Sequence, residues 1–286
     1  MMEPHLSLEL RTSERWQEAP PLRICTVTSG KGGVGKSNIA ANLGLTLARL
    51  GRQVLLIDAD LGLANLDILL GLAPRYSIQD VLARRRTLAE TLVRGPDGIE
   101  ILPASSGIPE LADLSPSEKV FLLNELDHYS ENLDVVLIDT GAGISPNVLF
   151  FNMAALERIV VVNREPTSIT DACALMKVLV TRHGARRFKL LANGLSTGAE
   201  AHKVFCTLLQ VAERHLGEVS LDYLGWIPHD EAIPQAVLQQ KALLDLFPKA
   251  KASKSFLDLA QKLWESPPPP DCYGNIQFFW RRLLRS

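Results

Sequence analysis

Between the β-branched run Ile24 to Thr28 and the Ala- and Leu-rich run Asn38 to Leu50 stands Gly30-Lys31-Gly32-Gly33-Val34-Gly35-Lys36-Ser37, which fits G-x-x-x-x-G-K-S/T. A strand, a glycine loop and a helix in that order turn sharply and aim backbone N–H groups at phosphate oxygens, with the helix dipole adding positive potential. Gly32, Gly33, Val34 and Gly35 are therefore expected to cradle phosphates together with Lys36, Ser37 and Asn38. The Lys36 ammonium should reach the β/γ-phosphates, and the Ser37 hydroxyl should ligate Mg²⁺.

Downstream, short β-branched runs alternate with longer helical patterns: Val54 to Ile57, Ile99 to Leu102, Val135 to Ile138, Ile159 to Val162, Lys189 to Ala192 and Tyr223 to Ile227. This predicts an α/β fold, a mostly parallel sheet flanked by helices on both faces. Gly51 is a natural stop for the helix Asn38 to Leu50. Phe256, Leu259, Ala260 and Leu263 repeat at helical spacing between Ser253 and Trp264, and Ser266-Pro267-Pro268-Pro269-Pro270-Asp271 forbids continuation. The chain divides into an N-terminal extension (1–21), a nucleotide-binding domain (22–265), a Pro-rich linker (266–274) and a tail (275–286).

With 47% hydrophobic residues the chain can bury a full core, and a net charge of −2 argues against capture of nucleic acid by overall charge. Cys25, Cys173, Cys206 and Cys272 form no C-x-x-C pair, which argues against a zinc site or a disulfide framework. Met1-Met2-Glu3-Pro4 opens no basic and apolar leader, and there is no run of about 18 apolar residues. The expectation is a cytoplasmic protein that does not span a membrane.

Two later strands end in acids, at Ile57-Asp58-Ala59-Asp60 and Leu137-Ile138-Asp139, on the side where open α/β sheets bind ligands. Asp139 is suited to hold Mg²⁺ through its water shell. A second lysine, Lys31, opens the glycine run. Here the sequence resembles the MinD/ParA family of deviant Walker ATPases, whose K-G-G-x-G-K-S/T signature is matched by Lys31 to Ser37, with similarity over about residues 22 to 265. The resemblance implies ATP as the nucleotide and an ATP-dependent homodimer in which Lys31 reaches the partner's phosphates. Slow hydrolysis, awaiting an activator, would reset the dimer to monomers.

By the same resemblance Lys31, Lys36 and Asp60 are catalytic, Asp60 orienting the attacking water, while Asp58 supports a metal shell completed by Ser37 and Asp139. Asp139-Thr140-Gly141-Ala142-Gly143-Ile144 resembles switch II, and Asn193 with Pro228 and Asp230 resembles the base-side contacts. From the residues alone, Asp58 and Asp60 also fit a helix cap or turn, and Asn193, Pro228 and Asp230 also fit turns.

In the tail, Ile276, Phe279, Trp280, Leu283 and Leu284 share one helical face at about 100° per residue. Gln277, Arg281, Arg282 and Arg285 oppose them, and Phe278 intrudes on the polar side. Three arginines without an acid suit anionic inner-membrane lipids, and two tails in a dimer would bind far better than one. The alternative is a tail folded back onto the domain.

Asp139 to Ser145 and the Arg-rich aromatic tail resemble the flagellar-number branch of the family. That implies control of flagellar number and placement, at the pole, through the flagellar GTPase FlhF, a flagellar transcription activator or C-ring proteins. Residues 1–21 lack the D-Q-A-x-x-L segment with which many members of that branch stimulate the GTPase; Leu6, Leu8, Leu10 and Trp16 stand there instead. Division-site selection of the MinD type and ATP-gated docking without catalysis remain open readings. Direct DNA binding is not expected, because the chain outside the tail is acidic. No cysteine closely follows Asp139 and no C-terminal C-x-x-C is present, which opposes the iron–sulfur members of this fold class.

Overall fold

The computed structural model describes residues 22–105, 113–129 and 132–267. The N-terminal extension, the tail at 275–286 and most of the linker before it lie outside the described residues. From the start, β1 (Arg23–Ser29), α1 (Lys36–Arg49) and β2 (Val54–Ala59) are followed by three short helices, α2 (Leu66–Leu69), α3 (Ile78–Leu82) and α4 (Leu88–Thr91). Next come β3 (Val93–Arg94), β4 (Glu100–Leu102), α5 (Pro116–Tyr129), β5 (Val135–Ala142), α6 (Pro146–Ala154) and β6 (Glu157–Val162). The remainder is α7 (Pro166–His183), β7 (Arg187–Leu195), α8 (Gly198–His215), β8 (Ser220–Pro228), α9 (Ala232–Leu238), α10 (Leu243–Leu246) and α11 (Lys251–Glu265).

The strands form one sheet in the order β3-β4-β2-β5-β1-β6-β7-β8. Every neighbouring pair is parallel except β3 with β4, where Val93 faces Ile101. All seven strands expected from the β-branched runs are present; the antiparallel edge at Val93–Arg94 is an addition too short to leave a pattern.

Helices cover both faces, which is why the strands read as continuous apolar runs. Along β5, Val135 and Leu137 join the core under α1 and α11, whereas Val136 and Ile138 join the core under α5 and α6. The apolar face of α11 (Phe256, Leu259, Ala260, Leu263) is buried as its spacing predicts, each large side chain contributing roughly 1.5–3 kcal/mol. The helix ends at Glu265, ahead of the prolines. Among the described residues no helix is long and apolar enough to cross a membrane.

A buried ion pair locks the amino ends of the strands. Arg23 Nε and Nη2 donate to the two carboxylate oxygens of Glu157 at 2.8 and 2.9 Å. Arg23 Nη1 donates to the carbonyls of Trp264 at 3.0 Å and Ser266 at 2.7 Å, tying down the end of α11. Lys189 Nζ stands 3.4 Å from Glu157. At the other end of the sheet, β1 lies between β5 and β6, and the connections leaving β1 and β5 run to opposite sides of β1. That topological switch point opens a crevice at the carboxyl ends of the strands.

Candidate functional site

The glycine loop fills that crevice. Gly33 and Gly35 take φ of +76° and +94°, and Gly35 is the residue that caps α1 without any side-chain hydrogen bond. The first N–H groups of α1 are thus left for a ligand rather than for a capping hydroxyl. A Cβ on Gly30 would come within 2.1 Å of the backbone of Asp171, and one on Gly35 within 2.5 Å of the Asn193 amide. The loop therefore packs against α7 and the end of β7 at distances only glycine permits. Asn193 Nδ2 donates to the Val34 carbonyl at 2.8 Å, so this residue braces the loop.

Three acids and a lysine converge below the loop. Lys36 is only 8% exposed, and burial, opposed by Asp139 and Asp60, lowers its pKa. Asp139 lies in the buried part of β5, where burial and then the neighbouring charge of Asp58 push it up to about 8, although Ser37 donates to it. Its Oδ1 is buried with no hydrogen-bond partner. A buried carboxylate oxygen without a partner is costly, and a cation is the natural remedy. Among the described residues no three His, Cys, Asp or Glu side chains could hold a metal by themselves. Mg²⁺ is commonly held by one or two carboxylates completed by substrate phosphates and water.

Asp58 is raised to about 6 by burial, against the pull of three backbone N–H groups. Those donors are Asp60 at 3.1 Å, Asn65 at 3.0 Å and Leu66 at 3.2 Å, so Asp58 gathers the whole Asp60–Leu66 loop around itself. Asp58 thus has the turn-forming role that its residue type allows. Asp60 is half-buried, its pKa raised by burial and restrained by Lys36, and it stands beside Gly141.

Lys31 lies apart from this cluster. Its ammonium is hydrogen-bonded to Glu165 and, at 2.9 Å, to Thr167 Oγ1 at the start of α7. Glu165 and Thr167 were not singled out from the sequence. Their signal is positional: polar residues flanking Pro166 directly after β6, at the carboxyl end of a strand. Pro228 ends β8 near the same edge. Asp230 accepts from the N–H of Ala232 and of Ala252, both at 3.0 Å, and so joins α9 to α11.

The chain matches the model of the CobQ/CobB/MinD/ParA nucleotide binding domain over residues 25–244. It is 46% identical to the antiactivator FleN of Pseudomonas aeruginosa over 93% of this chain and 94% of that protein. It is 32% identical to the flagellum site-determining protein YlxH of Helicobacter pylori, over 92% of this chain and 90% of that one. Among solved structures, the septum site-determining protein MinD of Pyrococcus horikoshii, complexed with Mg-ADP, superposes with a TM-score of 0.70 at 25% identity, covering 85% of this chain and 96% of that one.

Proposed function

The chain belongs to the CobQ/CobB/MinD/ParA nucleotide-binding family, and on that footing we propose that it is an ATP-driven, dimerising ATPase that regulates flagellar number and placement. The observation that carries the flagellar assignment is the 46% identity to antiactivator FleN across almost the full length of both proteins. YlxH, named for determining the flagellar site, supports the same process.

The chemistry follows from the crevice. The glycine loop and the free N-terminus of α1 bind the phosphates, and Lys36 neutralises charge on them. Ser37 and the unpartnered Asp139 oxygen would hold Mg²⁺, with Asp58 behind them; bound there, the cation supplies charge compensation at the phosphates. The same Mg-nucleotide pairing is in the MinD structure of P. horikoshii. Asp60 orients the attacking water beside Gly141. Asn193, Pro228 and Asp230 border the base. Lys31 leaves Glu165 and Thr167 to reach the partner's phosphates, so the monomer is slow and the dimer competent.

Residues 22–265 form the ATPase domain, and the tail at 275–286 anchors the ATP-bound dimer to anionic lipid of the cytoplasmic membrane at the cell pole. Flagellar partners are those of the branch: the GTPase FlhF, a transcription activator or C-ring proteins. The MinD likeness keeps division-site selection as the second reading. Deleting the gene in its native host separates them: electron microscopy should show extra or misplaced flagella with normal division. Minicells with an unchanged flagellar count would move the same chemistry to division-site selection.

A further inference from the structure

The core between α6 and the sheet contains four polar side chains that the nucleotide site does not use. Thr26, Thr28, Thr140 and Asn152 are all 0% exposed. Asn152 accepts from Thr26 Oγ1 at 3.1 Å and donates to Thr28 Oγ1 at 3.0 Å and to the Val148 carbonyl at 2.9 Å. The hydroxyl of Thr140 lies 3.0 Å from that of Thr28 and 3.0 Å from the carbonyl of Gly141. Filling this space with apolar groups of the same shape would be close to neutral for stability. Stability therefore does not explain the network, and its geometry is the better clue.

That geometry centres on a bulge. Val27 pairs with Asp139, but two residues later Ser29 pairs with Ala142, so β5 carries one extra residue where β1 has Thr28. Thr28 and Thr140 are hydrogen-bonded across that irregularity. Below the bulge, Asp139 receives the hydroxyl of Ser37. Above it, Gly141 is driven so close to Asp60 that a Cβ there would stand 3.3 Å from Asp60 Oδ1. Bulges beside active sites re-aim the groups that follow them, and a slip of one residue would turn each neighbour to the wrong side. Asn152 sits on α6, which begins at Pro146 only a few residues beyond the bulge. The helix thus grips the bulge twice, through the chain and through Asn152.

We propose that Asn152 is a positioning residue for ATP hydrolysis, which, through Thr28 and Thr140, holds the β5 bulge so that Gly141 and Asp60 keep their register. The inference rests on the ATPase reading above. Asn152 touches no nucleotide; its effect is on the barrier rather than on binding, because misplacement by about 1 Å can cost on the order of 10²-fold in rate.

The test uses the full chain with Thr26→Val, Thr28→Val and Asn152→Leu combined. Asn152→Leu alone strands the Thr26 hydroxyl in the core and can unfold the protein, whereas the triple change removes the amide together with both β1 hydroxyls and leaves Thr140 its partner at the Gly141 carbonyl. The expected result is a cooperative thermal transition, an unchanged KM for Mg-ATP, unchanged dimerisation with a non-hydrolysable ATP analogue, and a kcat lowered by about 10- to 100-fold. Thr28→Ser, which keeps the hydroxyl, should retain wild-type kcat. A triple variant with wild-type kcat, or one that raises KM while kcat holds, overturns the proposal. A wild-type protein without ATP turnover would instead remove the ATPase reading, and the proposal with it.

Discussion

At the amino ends of β1 and β6, Arg23 and Glu157 are buried together, with every guanidinium nitrogen donating and both carboxylate oxygens accepting. At the carboxyl ends of β1, β2 and β5, Lys36, Asp58, Asp60 and Asp139 lie within electrostatic reach of one another, yet Asp139 Oδ1 has no partner and all three acids are pushed above their usual pKa. Both clusters bear the desolvation of charge. Only the first is compensated within the chain. The excess of acid over its partners at the second is what a cation and a polyphosphate would complete, so the same sheet is closed at one end and open to ligand at the other.

The contrast breaks most sharply at the lysine. Lys36→Gln should lower kcat/KM for ATP by about 10³-fold and abolish nucleotide-dependent dimerisation, while the melting temperature without nucleotide stays unchanged or rises, since a desolvated charge is removed. Glu157→Gln is the mirror experiment. It leaves Arg23 as an uncompensated buried cation and should cost about 3 kcal/mol in urea unfolding, with kcat of the folded protein unaltered. If Glu157→Gln lowered kcat as well, the two ends would not be separable in function.

The smallest effect is a pH dependence. Burial, then Asp58, raises Asp139 to about 8 in the folded chain. A carboxyl with a raised folded pKa contributes stability below its unfolded pKa near 3.8 and loses that contribution as pH rises through about 8. Nucleotide-free Asp139→Asn should therefore melt above the wild type by a margin that widens from about pH 5 to pH 8, reaching a few degrees. Calorimetry across that range checks the sign, and a margin that narrowed with pH would place an ionised, well-compensated Asp139 in the apo protein.

How much of this could be seen beforehand differed between the two ends. The phosphate loop, the acids at Asp58 and Asp139 and the seven strand segments were legible because each has a local pattern: glycine spacing, a β-branched run, an acid at the end of it. The end of α11 was legible for the same reason, proline being a local veto. The Arg23–Glu157 pair was not, because its partners stand far apart in the sequence and each alone is an unremarked charge. Glu165 and Thr167 escaped notice likewise, since only folding brings them to Lys31. The bulge opposite Thr28 left no signal either: one extra residue in a strand of eight alters no periodicity long enough to read.

The account turns on Asp60 acting in hydrolysis after the nucleotide is bound and the dimer formed. The most direct measurement is sedimentation of Asp60→Ala with Mg-ATP, with phosphate release followed in the same sample. The account predicts a stable dimer that retains ATP and releases phosphate at least about 10²-fold more slowly than the wild type. A variant that hydrolyses ATP at the wild-type rate, or that stays monomeric while loaded with ATP, would contradict it.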